Sequence, residues 1–314
     1  MRRVVLGGSV VLVTLFITIV ASQERNWVPK SASNKPAPRY GHAIAYDAAR
    51  RQVVLFGGAT ASGGANDTWV WDGANWTQKN PTNSPSPRMW HAMAYDAARE
   101  QVVLFSGRGL TMDGGTTYDN ETWLWEGVNW TRHIPANSPA TREVYALAYD
   151  AAGARGVVSG GATARGGSAD TWTWDGTDWI LESPTNPPPP RFGHAMTYDA
   201  ARSEVVLFDG RGPFGQYYND TWVWNGTNWL LKSPAGQPES RNYHSMAFEA
   251  VSERVVLFGG WRGFTQSNDP WLWDGSTWMQ ETPANAPTAR EFPAMAYDAA
   301  RGQVVLFGGS VAGV

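Results

Sequence analysis

The chain has 314 residues, 25 basic against 28 acidic, a net charge of -3 and no cysteine. With no Lys/Arg cluster, that balance argues against a nucleic-acid partner; the missing cysteines exclude disulfides and thiolate chemistry, so stability has to come from the core. The length suits one large domain or two ordinary ones.

The first element in chain order is MRRVVLGGSVVLVTLFITIVASQ: Arg2 and Arg3, an apolar run over residues 4–20, then the small residues Ala21 and Ser22. This is the layout of a secretory signal over residues 1–22, cleaved near residues 21–23, with an uncleaved N-terminal anchor as the alternative because the run is slightly short of a membrane span. Either reading puts the remainder, residues 23–314, outside the cytoplasm, secreted or periplasmic. No second long apolar segment follows.

Next comes Trp27, 12 residues ahead of Arg39, and that interval returns five times, from Trp76 to Arg88 through Trp278 to Arg290. Arginine opens each unit at 39, 88, 142, 191, 241 and 290, with steps of 49, 54, 49, 50 and 49 residues. A self-similar period near 50 defines a repeat array, and the chain must be read by its unit. In unit one, RYGHAIAY alternates and ends at Asp47, whose side chain closes the turn DAAR. QVVLFGG is a continuous β-branched run, as expected of a strand covered on both faces. DTWVW alternates with period 2, sending Trp69 and Trp71 to one face and Thr68 and Val70 to the other. Asp72-Gly73 then turns the chain into Asn75-Trp76-Thr77. Four strands, a to d, follow per unit.

Fifteen of the 18 tryptophans fall in five W-x-W-x-x-x-x-W triads. Each ring buries roughly 150–250 Å², on the order of 4–6 kcal/mol as an upper bound, so the triads read as sheet-to-sheet packing. The units PR-x-x-H-x-x-x-Y-D, V-V-L-F-G-G and N-D-T-W-x-W-D-G-x-x-W resemble the kelch-repeat family and cover residues 26–309. The resemblance implies an all-β, six-unit β-propeller of four-stranded blades, with Trp27 on a strand d that joins the sixth unit. After Gly309 only SVAGV remains, so the last blade is expected to be incomplete, lacking strand c, with a loosened seam against the first.

The second Gly to the first Trp measures 11, 16, 11, 12 and 11 residues in units one to five. Scaffolds hold their strands and vary their functional loops, so the b-to-c loops are the candidate binding face. Three of them place an arginine just past strand b with aromatics nearby: Arg108 with Tyr118, Arg211 with Phe214, Tyr217 and Tyr218, and Arg262 with Trp261 and Phe264. Arginine pairs with carboxylates and aromatics stack on sugars or peptide side chains; packing of long loops onto the propeller is the plainer alternative. Trp90 and Trp261 stand outside the triads. The unit-opening Arg39, Arg88, Arg142, Arg191, Arg241 and Arg290 would ring one mouth of the channel, to draw in an anion or to pair blade to blade with Asp67, Glu121, Asp170, Asp220 and Asp269. Glu143 and Glu291 directly follow two of them.

His42, His91, His194 and His244 share one repeat position, taken by Tyr145 and Pro293 elsewhere; blades rotate that position about the axis, which argues against a shared metal. His133 stands alone. The copper chemistry of galactose oxidase, a kelch-fold enzyme, needs a cysteine. The sialidase S/T-x-D-x-G-x-x-W turn is not matched by the adjacent Asp72-Gly73, and no strand-to-helix phosphate loop occurs. No cofactor, metal or catalytic set is expected. Six N-x-T triplets are by-products of the repeat. The function these features suggest is a non-catalytic module binding a protein or a carbohydrate, with no nucleic-acid partner. The alternatives are a sugar enzyme resembling the sialic-acid epimerases, using Glu143, Glu291 and the arginines, or one interaction domain of a larger surface protein.

Overall fold

The computed structural model describes residues 15–21, 24–111 and 115–312. The charged start of the expected leader and Ser22-Gln23 lie outside them. Among the described residues there is no helix, and the strands assemble into six four-stranded sheets with small hairpins added at one end.

Blade one shows how the unit works. Strands β3 (Ala43–Asp47) and β4 (Gln52–Phe56) pair antiparallel, then β7 (Thr68–Trp71) joins β4 and β8 (Trp76–Lys79) joins β7. Between β4 and β7 the loop folds into the short hairpin β5 (Ala59–Thr60) and β6 (Gly63–Gly64). Val53, Val54, Leu55 and Phe56 are fully buried, which accounts for the unbroken apolar run. At the DAAR turn Asp47 Oδ1 accepts the Arg50 N–H. At the D-G turn Gly73 sits at φ 97°, and Asp72 Oδ1 accepts the N–H groups of Ala74 and Asn75.

The blades pack face to face around a ring: each inner strand a contacts its two neighbours, and Ala294–Asp298 of blade six touches β3 of blade one. Six apolar clusters fill the gaps, one per blade pair. The period-2 reading of DTWVW holds. Trp69 and Trp71 enter the cluster shared with blade six, whereas Val70 enters the one shared with blade two. On that second face Thr68 Oγ1 accepts the Nε1–H of Trp130, the strand-d tryptophan of the next blade, at 2.9 Å. Thr122, Thr171 and Thr221 accept from Trp179, Trp229 and Trp278 in the same way, all at 2.9 Å.

The sixth blade corrects the expectation of a missing strand. Its slot c is filled by β1 (Leu15–Ala21), drawn from the apolar N-terminal run, and its slot d by β2 (Glu24–Lys30), which carries Trp27 as expected. Trp27 is buried against Phe258 of blade five at 5.4 Å. Thr18 lies opposite Trp27 in the register that places Trp71 opposite Trp76. Within blade six the ladder beside β1 is shorter, and the seam with blade one lacks one bond of the repeat. Strand β1 pairs with Gln303–Phe307 at two positions, against four between β4 and β7. Leu15 holds the register position of Thr68, and Trp76 Nε1 is buried without an acceptor. Cleavage near residues 21–23, as the sequence leads one to expect, would remove β1 from this blade.

Candidate functional site

The loop face is built from three successive residues of each unit. The opening arginine turns inward: Arg39 is buried, donates to Asp67 at 2.6 and 2.8 Å and to Gly57 O at 2.8 Å, and Asp67 also accepts from Trp69 Nε1 at 2.7 Å. Arg142, Arg191 and Arg241 repeat this with Asp170, Asp220 and Asp269, and Arg88 with Asp119 and Glu121. Despite burial, these hydrogen bonds and charges hold the carboxyls of Asp67, Asp170, Asp269 and Glu121 below the usual range. Arg290 donates to Gly308 O and Thr288, and burial lowers it to about 10. The ring of arginines thus lies inside the blade tops rather than in the channel mouth, and the pairs join strands of one blade rather than one blade to the next.

The next residue bridges outward to the position just past strand b: Tyr40 to Ala59, Met89 to Arg108, Glu143 to Ala162, Phe192 to Arg211, Asn242 to Trp261 and Glu291 to Ser310. The third has positive φ in every blade, at Gly41, Trp90, Val144, Gly193, Tyr243 and Phe292. Their backbones link head to tail around the axis. Trp90 donates to Gly41 O, Val144 to Trp90 O, Gly193 to Val144 O, Tyr243 to Gly193 O and Phe292 to Tyr243 O, at 2.7–3.2 Å.

This turn throws the aromatic side chains over the channel. Tyr243 stacks on Phe292 at 4.1 Å, and Trp90 lies 6.0 Å from Phe292. Glycine is required beside them: a Cβ on Gly41 would come 2.9 Å from the Trp90 indole, and one on Gly193 2.9 Å from the Tyr243 ring. Beneath this plug lies a chamber of about 110 Å³ bounded by His42, His91, Tyr145, His194, His244 and Pro293, and beyond it a channel of about 480 Å³ between the inner strands. The histidines are interblade packing. His42, His91 and His244 meet Phe307, Phe56 and Phe208 of the preceding blade edge-on at 5.6 Å. Burial, with the nearby arginine, lowers His42, His91 and His194 to about 3, so they stay neutral at physiological pH.

Around the plug runs a charged rim. Arg108 sits 5.4 Å over the Trp90 ring. Burial raises the half-buried Glu143, with Arg108 opposing, and likewise raises Glu291, opposed by its hydrogen bond with Gln266. Tyr243 is pushed up to about 12 by burial first, then by Glu291, while Arg211 opposes. Glu143 Oε2, Arg108 Nε and Trp90 Nε1 are buried polar atoms with no partner among the described residues; such groups cluster where a ligand or water completes the site.

The sequence-derived candidates divide. Arg108, Arg211 and Tyr217 belong to the rim, with Arg211 exposed and acting on the raised Tyr217. Tyr118 is 53% exposed on the extra hairpin of blade two. Trp261 is half-buried at the rim, bridging Asn242 and Gln266. Arg262 is tied to Glu239 at 2.7 Å, and Arg191 sits 4.4 Å over the Tyr218 ring. Phe214 and Phe264 project from loop tips, 94% and 98% exposed. His133 packs edge-on against Trp174 and contacts Thr177 O. Tyr40, Tyr243 and Phe292 were not singled out by sequence. Their signal was the position two after each opening arginine, or one for Tyr40, where the repeat stops repeating.

Six four-stranded sheets around a plugged channel, with a loop rim of variable length at one end, define a β-propeller. A family model described as the KLHDC2/KLHL20/DRC7 Kelch-repeats domain matches residues 4–175 and 170–313, and the chain belongs to the kelch-repeat family. Among curated proteins none matches the sequence. A solved structure titled "Structure of YjhT" is similar in fold, with a TM-score of 0.71 over 90% of this chain and 93% of that one, at 15% identity.

Proposed function

We propose that this protein is a secreted or periplasmic, non-catalytic binding module whose protein or glycan ligand seats on the b-to-c loop face. The observation that carries the reading is the closed aromatic floor of Trp90, Tyr243 and Phe292, walled by Arg108, Arg211, Glu143 and Glu291 and set among the only loops whose length varies. The extracellular placement rests on Arg2, Arg3 and the apolar run behind them. The test is thermal unfolding against acidic and neutral sugars and candidate extracellular proteins, in wild type, Arg211→Ala, Trp261→Ala and, on the opposite face, Glu100→Ala. A ligand that raises the midpoint in wild type and Glu100→Ala but not in the rim variants supports the reading. A ligand lost only with Glu100→Ala overturns it.

The second reading, a sugar enzyme of the sialic-acid epimerase kind, draws on two mouth carboxyls that burial raises, Glu143 and Glu291. Turnover of a sialic acid in wild type, abolished in Glu143→Gln, would establish it; no turnover in wild type removes it.

A further inference from the structure

Blade two carries the longest b-to-c loop, with 16 residues where blades one, three and five have 11. The extra length forms a hairpin of Arg108–Leu110 and Thr116–Tyr118. Between this hairpin and blade three is a cavity of about 250 Å³ lined by Tyr118, Thr141, Glu143, Ala162, Thr163 and Ala164. The insertion therefore supplies one wall of a pocket that the repeat alone does not make. Blade one has the same Ala59-Thr60-Ala61 sequence as Ala162-Thr163-Ala164, but Tyr40 stands where blade three has Glu143. The acid and the exposed ring are thus the two local departures from the repeat.

We infer that this cavity binds a single neutral pyranose ring, stacked on Tyr118, with hydroxyls donated to Glu143 and Thr163 and exchanged with Thr141. The inference rests on the loop face being the binding surface. A carboxylate accepts from two hydroxyls at once, and the flat apolar face of a sugar ring complements an exposed aromatic. The volume, below that of drug-sized pockets, limits the ligand to about one ring. Charge selects a neutral ligand. Arg108 lies opposite Tyr118 on the hairpin that walls the cavity and offsets the Glu143 charge, so the pair brings no net charge for an amine or an acid to neutralise. Glu143 lines the cavity, and its buried Oε2 has no partner among the described residues, so a hydroxyl that reaches the carboxylate breaks no bond already made.

Calorimetric titration with methyl glycosides of glucose, galactose and mannose tests this, with glucosamine and glucuronic acid as charged controls. Wild type binds at least one neutral glycoside in preference to both charged sugars. Tyr118→Ala and Glu143→Gln each weaken it about tenfold or more, a loss of about 1.4 kcal/mol, and Phe264→Ala leaves it unchanged. Tyr118 is exposed and Glu143→Gln is isosteric, so thermal midpoints stay at the wild-type value. Binding that survives both variants, preference for a charged sugar, or no binding of any neutral glycoside overturns the inference. Each of those outcomes leaves the loop-face reading to its own test with Arg211→Ala and Trp261→Ala, which lie outside this cavity.

Discussion

Replacing Thr122 with valine should cost this propeller about 1–3 kcal/mol through one atom. Thr122 is fully buried, and its Oγ1 accepts the Nε1–H of Trp179 across the gap between blades two and three at 2.9 Å. Valine keeps the shape and strand preference of threonine, so packing and backbone are preserved. The indole N–H is left buried with no acceptor, and the cost is that of stranding a buried donor, more than that of an average hydrogen bond. For a domain of this size each kcal/mol moves the midpoint about 2–4 °C, so the expected fall is roughly 2–12 °C. The assay is thermal or urea unfolding of Thr122→Val beside Thr117→Val, whose side chain is exposed on the blade-two hairpin. An unchanged or raised midpoint in Thr122→Val would refute the reasoning and show that these bonds merely accompany the packing.

Three further outcomes are expected. Asp209, buried where blade two has Ser106 and the other four blades have glycine, is raised to about 7 by burial, against the Arg241 and Asn219 N–H groups that favour its charge. Because the folded pKa exceeds the unfolded one, its stabilisation is complete below about pH 4 and lost as pH rises through about 7, up to about 4 kcal/mol; Asp209→Asn should flatten the fall in midpoint between those pH values, and an unchanged slope would count against it. Arg142→Met strands Asp170 and Gly160 O and should cost about 3–5 kcal/mol in urea unfolding; a stabilised variant would show that the buried pair is replaceable. Deleting residues 1–22 removes β1 from the outer edge of Gln303–Phe307, so hydrogen exchange should quicken there and not at Arg155–Ser159 in blade three; equal protection in both would mean β1 adds nothing to the seam.

The blades were legible in the sequence because each repeats the same physics. Val53 to Phe56 read as a doubly covered strand and Trp69 and Trp71 as one face, and both periodicities depend only on local geometry. The filled sixth blade was not legible. Leu15–Ala21 carries neither the tryptophans nor the D-G turn of a strand c, and an apolar run behind two arginines has the composition of a leader whatever it pairs with. At the site, loop length singled out the rim around the plug, and the acids that five opening arginines meet were named, but as partners from one blade to the next; Arg262 was read as available charge. The acids these arginines meet lie 23 to 33 residues away, as in Arg262 with Glu239 and Arg88 with Glu121, and only the folded blade decides which strands the pairs join.

The position of β1 also sets the order in which the molecule can be completed. Its partner in blade six, Gln303–Phe307, lies about 280 residues further along the chain. At about 5–20 residues per second, the apolar N-terminal strand waits on the order of tens of seconds without that partner. Throughout that interval residues 15–21 wait for the strand they will pair with. Blade six is therefore the blade whose assembly spans the greatest sequence separation, and its closure follows that of the other five.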